Sequence, residues 1–213
     1  MVDGAYRIPG KNQAFFWSGT QYARVTYNVG GGDKLEFGPE SVRYHWKQLA
    51  HEDIGRVDAV CPVPGNKERL YVFSGANYVK LGINTESLVR SLVTARTPIT
   101  KGWTTLGRAG WDRIDAAMVV PGSETNVYFF RGKEWIDVSW EDELVSHGTI
   151  AESWPSLVEA KFETVDAILD NYDNTYYVFS GDQCARIRMD EDKDTLVTGP
   201  YCIADKWTSL HWI

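Results

Sequence analysis

One phrase of twelve residues is written four times along this chain: AFFWSGTQYARV at 14–25, LYVFSGANYVKL at 70–81, VYFFRGKEWIDV at 127–138 and YYVFSGDQCARI at 176–187. Aligned on the glycine of each copy (Gly19, Gly75, Gly132 and Gly181), the spacings are 56, 57 and 49 residues. An aspartate stands 15 to 17 residues before each glycine: Asp3, Asp58, Asp115 and Asp166. A W-x-x-L pair follows each copy, at Trp46/Leu49, Trp103/Leu106, Trp154/Leu157 and Trp207/Leu210. Three markers in fixed order at a regular period define a repeat architecture, in which each unit buries its faces only against its neighbours.

Each unit reads locally. The short apolar stretch around the aspartate ends at turn chemistry such as Pro64-Gly65, Pro121-Gly122 or Asp173-Asn174, and so predicts a strand. A β-branched and aromatic run follows, then the glycine with the φ > 0 that a tight hairpin needs, then a third strand. Positions +3, +6 and +8 after the glycine hold Tyr22/Val25/Tyr27, Tyr78/Leu81/Ile83, Trp135/Val138/Trp140 and Cys184/Ile187/Met189. Position +5 holds Arg24, Lys80, Asp137 and Arg186. That alternation is period 2 with one wet face, and the step from +6 to +8 suggests a bulge or register change. A looser outer strand follows, blunted by charges such as Glu36 or Asp142. A short helix carries the tryptophan, with Ser41 placed as an N-cap in GPESVRYHWKQL.

Three or four antiparallel strands plus a short helix, repeated four times, describe an all-β, four-bladed β-propeller in a single domain. The blades would span about 1–52, 53–109, 110–160 and 161–213. Gly4, Ala59, Ala116 and Ala167 follow the four aspartates, as small side chains must where inner strands converge on an axis. The tryptophans belong mostly to this scheme: Trp17 shares a column with Phe73, Phe130 and Phe179, Trp111 with Ile54 and Phe162, and only Trp212 falls outside any apolar column.

Composition narrows the function classes. A net charge of −7 and a pI near 5.1 disfavour nucleic acid and anionic membranes as partners and leave cationic ligands open. No run approaches the ~18 apolar residues of a spanning helix, and MVDGAYRIPG has no signal core. Cys61, Cys184 and Cys202 cannot all pair within the chain, which points to reduced thiols in a cytoplasmic setting, although a Cys184–Cys202 bridge and a secreted form stay open. There is no G-x-S-x-G, H-E-x-x-H or Walker motif, and the cysteines follow no metal spacing, so no catalytic residue is assigned. His45, His51, His147 and His211 are scattered and read as surface residues. Asp190, Asp192 and Asp194 in MDEDKD hint at a calcium loop but lack its glycine and terminal glutamate, and read as a solvated turn.

The D-A-A strand, the [YF]-x-F-x-G-x-x-[YW] hairpin and a closing helix, with SWPSL at 153–157 nearest to W-P-x-L, resemble the hemopexin family over essentially the whole chain. The resemblance implies inner strands around a central channel and an axial cation, often calcium or sodium, held by the backbone carbonyls of Asp3, Asp58, Asp115 and Asp166. A second ring would lie at Ala5, Val60, Ala117 and Ile168. Hard cations prefer oxygen ligands, and carbonyls supply them without net charge; alternatively, each aspartate only hydrogen-bonds backbone and orders its strand. No cysteine pair is placed to tie the first blade to the last, so closure must be non-covalent, with Trp212 and Ile213 packing on blade one. Free-standing four-blade chains are most similar to the legume seed albumins, with fungal and bacterial proteins also similar. That likeness implies a non-enzymatic protein binding a small ligand such as a polyamine or haem. A polyamine would be drawn to an acidic channel mouth, and haem would need an apolar slot with an axial histidine such as His45 or His147. A carbohydrate-binding lectin is the first alternative, and a storage or protein-interaction module, with a possible homodimer, is the second.

Overall fold

The computed structural model describes residues 1–171, 173–190 and 193–213, so Asp192 of the MDEDKD segment lies outside the described residues. Blade one consists of β1 (Gly4–Arg7), β2 (Gln13–Ser18), β3 (Gln21–Tyr27) and β4 (Asp33–Ser41), then helices α1 (Val42–His45) and α2 (Lys47–His51). Blade two repeats the plan with β5 (Ala59–Val63), β6 (Asn66–Ser74), β7 (Asn77–Ile83), β8 (Arg90–Pro98), α3 (Ile99–Gly102) and α4 (Thr104–Arg108). Blade three follows with β9 (Ala116–Val119), β10 (Val127–Arg131), β11 (Glu134–Val138), β12 (Leu144–Thr149), α5 (Ile150–Ser153) and α6 (Pro155–Glu159). Blade four has β13 (Ala167–Asp170), β14 (Thr175–Ser180), β15 (Gln183–Met189), β16 (Asp194–Cys202), α7 (Ile203–Lys206) and a 3-10 turn at Thr208–Leu210.

Each blade is a four-stranded antiparallel meander in sequence order, so all four copies take the larger of the two strand counts expected. The hairpin glycines have φ of 57°, 54°, 56° and 60°, each in the first of two loop positions, which only glycine occupies without strain. The register change falls at position +5 rather than beyond +6: the third-to-fourth-strand pairing slips on both sides of Arg24, of Lys80 and of Arg186, each slip adding one residue to the outer strand.

A single sheet with two apolar faces cannot stand in water, and the core shows how four of them solve this. Its four clusters each straddle a junction between consecutive blades. Trp17, Tyr22 and Trp46 of blade one pack with Leu70, Val72 and Leu81 of blade two. Phe73 and Trp103 meet Phe129 and Ile136, and Phe130 and Trp154 meet Val178 and Ile187. Phe16, Val25 and Tyr27 meet Phe179, Cys184 and Trp207, with Trp212 and Ile213 partly buried against them. Closure is therefore non-covalent, aided by Arg7 on Asp170 and by Lys206 Nζ donating to Gly30 O at 2.8 Å. All three cysteines are free; Cys184 and Cys202 lie in neighbouring strands, the first buried and the second exposed. Burial pushes the Cys184 thiol up to about 11.

Four expectations are corrected. Ser41 sits at the N-cap position of α1 but makes no side-chain capping bond. Capping comes instead from the next blade and at the second helix: Asp142 accepts from Thr104 N and Thr105 N, Asp194 from Ser156 N, and Asp33 from Thr208 N and Ser209 N. Asp142 thus stitches two blades together rather than blunting an edge, and Asp194 is buried rather than solvated. Finally, Trp140 is 52% exposed although its column-mates Tyr27, Ile83 and Met189 are buried, because β11 ends at Val138 and leaves position +8 outside the sheet.

Candidate functional site

The four aspartates stand one residue before the innermost strands, which neighbour one another around the axis. Each is held twice by its own hairpin. Its N–H donates to the carbonyl of Trp17, Phe73, Phe130 or Phe179 at 2.9 Å. Its carboxylate accepts from the N–H of Gly19, Gly75, Gly132 or Gly181, at 2.5, 2.7, 2.7 and 2.6 Å. The recurring Asp-to-Gly spacing is thus a physical clamp between the first strand and the turn of the following hairpin.

The carboxylates also feel one another. Burial raises Asp3 above its ordinary value against the Gly19 bond and Arg56, and the charge of Asp58 adds to the rise. Burial likewise raises Asp166, with Asp115 and Asp3 contributing. This rim of the axis therefore accumulates negative charge. Arg56, unnoticed in the sequence, offsets part of it: its Nε lies 2.7 Å from Asp58 Oδ1 and its Nη2 3.8 Å from Asp3 Oδ2. A rim with this charge suits a cation. Among the described residues no group of three or more His, Cys, Asp or Glu side chains gathers as a metal site.

One step further along the axis, Ala5, Val60, Ala117 and Ile168 occupy equivalent register positions in β1, β5, β9 and β13. Ala5, Ala117 and Ile168, but not Val60, line an axial cavity of about 670 Å³ that draws walls from all four blades, and all four also join the apolar clusters between blades. The far end of this cavity carries Arg7, Lys67, Glu124, Asp170, Asn171 and Tyr176. Arg7 clasps Asp170 through Nε to its carbonyl (3.0 Å) and Nη2 to its carboxylate (3.3 Å). Burial pushes the Tyr176 hydroxyl up to about 12. Two basic and two acidic side chains balance here, so the mouth expected to be acidic is neutral in sum and the negative end is the aspartate rim.

The histidines lie elsewhere. His45 packs against Tyr22, Phe37 and Tyr44 and faces Glu40 at 3.5 Å. His147 lines a second hollow of about 1010 Å³ between α4 and the outer strands of blade three. Sequence reading missed Arg7 and Glu124, which belong to no repeated column, and Arg56, whose column repeats only at Arg113. It also set Trp140 among the core tryptophans, although it projects at the junction of blades two and three with Lys80 Nζ 5.3 Å from its ring centre.

No family model matches the sequence. Albumin-2 of Pisum sativum is 23% identical over 222 residues, spanning 100% of this chain and 95% of the relative. A plant albumin from Cicer arietinum described as showing hemagglutination superposes with a TM-score of 0.90 at 22% identity, covering 100% of this chain and 98% of its own. A plant lectin from Cicer arietinum with two metal binding sites reaches 0.89 at 22%, with the same coverage. A hemopexin-fold protein from cow pea reaches 0.89 at 20%, covering 100% and 97%. The architecture of this chain is therefore the hemopexin-type four-bladed propeller that these legume seed proteins share.

Proposed function

We propose that this protein is a non-enzymatic binding propeller that holds a small polar ligand in its axial cavity. The observation that carries the reading is the cavity itself. Its volume of about 670 Å³ lies in the range of small-molecule sites, and its few charged and amide groups converge from different blades. A polyamine fits this lining better than haem does. Glu124, Asp170 and Asn174 supply acceptors for amines beside the charges of Arg7 and Lys67, while no histidine stands among the described lining residues to serve as an axial ligand. At the opposite rim, the carbonyls of Asp3, Asp58, Asp115 and Asp166 would hold a calcium or sodium ion, with those of Ala5, Val60, Ala117 and Ile168 as a second ring. Such an ion would neutralise the crowded carboxylates and draw the four inner strands together.

Calorimetric titration with spermine tests the reading. A saturable heat is expected, and Glu124→Gln should weaken binding about tenfold or more, the value of one charge-assisted hydrogen bond. Absence of heat, or a Glu124→Gln variant that binds like the parent, would count against an axial polyamine. Hemin followed by absorbance serves as the comparison.

A second reading, carbohydrate recognition, gains support from Trp140. It offers an exposed indole face beside Lys80, the kind of platform on which a sugar ring stacks, and one similar plant albumin is described as showing hemagglutination. Red-cell agglutination lost in Trp140→Ala would support it; a blank glycan array would oppose it.

A further inference from the structure

Two of the four blade junctions bring like charges to the same pair of positions, and only one of the two is basic. Position +5 of each third strand shares a face with position +3, and Tyr22 at +3 packs toward the following blade. The partner charge comes from the start of the next blade's outer strand. Between blades two and three these positions hold Lys80 and Asp142, between four and one Arg186 and Asp33, and between three and four Asp137 and Asp194, each of which accepts a hydrogen bond. Between blades one and two the two positions hold Arg24 and Arg90.

These two arginines lie close enough for the charge of one to act on the other, and Arg90 rests on aromatic rings. The Arg90 guanidinium carbon lies 4.0 Å from the ring centre of Trp46 and 5.4 Å from that of Phe15. Tyr22 stands edge-on to the same Trp46, 5.6 Å away. The Nε atoms of Arg24 and Arg90 are buried and have no hydrogen-bond partner. Among the described residues neither guanidinium forms an ion pair, since Glu40 across from Tyr22 faces His45 and Glu36 faces Lys34 at 3.1 Å. Burial raises the Tyr22 hydroxyl, while the charge of Arg90, a hydrogen bond with it and the charge of Arg24 act against the rise; with the Tyr22 oxygen accepting from Arg90, its proton is free to donate. Two half-buried guanidinium groups at one junction repel each other, and Arg90 is lowered by burial with Arg24 adding to the effect.

We propose that the junction between blades one and two binds a compact oxyanion, the carboxylate or phosphate group of a ligand, between Arg24 and Arg90, with Tyr22 as a third donor and Trp46 as the floor. The planar fork of arginine matches both groups in bidentate geometry. The site is independent of the axial cavity and carries the opposite preference in ligand charge.

NMR of the arginine Nε–H groups of the whole chain provides the test, with inorganic phosphate and citrate as separate titrants. Saturable shifts are expected at Arg24 and Arg90 and not at Arg186, whose buried Nε is equally unpartnered but whose junction contains Asp33. Arg24→Gln and Arg90→Gln should each weaken binding about tenfold or more, while Arg186→Gln leaves it unchanged. Arg90→Asp, which installs the residue type found at the other three junctions, should fold and abolish binding. Response to phosphate alone identifies a phosphate site, and response to citrate alone a carboxylate site. No saturable shift with either titrant, equal shifts at Arg186, or wild-type affinity in the Arg24 and Arg90 variants would overturn the proposal.

Discussion

At position +5 of blade three a carboxylate, Asp137, is 5% exposed and receives one hydrogen bond, from Asn126 at 3.1 Å. Burial raises it above its ordinary 3.8, with the Asn126 bond only partly opposing. The fold therefore disfavours its charged form: the cost is absent below pH 3.8, grows as pH rises past that value, and is constant above the folded-state pKa. Asp137→Asn keeps the acceptor and removes the charge, so it should raise Tm by a few degrees at pH 7 and change nothing near pH 3, as read by calorimetry. Asp142 behaves oppositely. Burial alone would raise it, but the bonds from Thr104 and Thr105 together hold it below 3.8. Its stabilisation is present above that value and is lost as pH falls through the folded-state pKa. Asp142→Ala should cost about 1 kcal/mol in urea unfolding at pH 7, as loss of a helix cap does, and the gap from the parent should close in acid. Neither role was legible in the sequence. The repeat placed Asp137 in a column of mostly basic residues, and Asp142 caps a helix 37 and 38 residues earlier, across a junction no local pattern reveals.

At the scale of the blade, the Asp-to-Gly clamp explains why the hairpin could be read so well. It joins two residues 15 to 17 apart within one unit, so it recurs with the repeat and stands out. Asp115→Ala removes the acceptor for Gly132 N while keeping the Asp115 carbonyl, and should cost about 1–3 kcal/mol in urea unfolding. If carbonyls alone hold the axial ion, any rise in Tm on adding calcium should survive this change; its loss would point to the carboxylate. The misplacement of Trp140 has an equally plain cause. Counting from Gly132 assumes a third strand as long as in the other blades, but Glu134–Val138 has 5 residues where Gln21–Tyr27, Asn77–Ile83 and Gln183–Met189 have 7. Column arithmetic extends only as far as the strand does.

For the whole molecule, ring closure and the axial cavity depend on what the blades do together. Closure rests on the cluster that joins blades four and one, to which the last two residues add partly buried apolar surface. Deleting Trp212 and Ile213 should lower stability by roughly 1–3 kcal/mol in urea unfolding, from the apolar area returned to water. The number of blades followed from the fourfold markers, and the small residues after each aspartate announced an axis. The character of the cavity did not, because Arg7, Lys67, Glu124 and Asp170 come singly from four different blades, at or just beyond the turns that leave the inner strands. The most direct test of a ligand held on the axis is diffraction from crystals soaked in spermine. Density for the extended amine between Glu124 and Asp170 is the predicted result; spermine ordered elsewhere on the protein, with only solvent in the cavity, would contradict it.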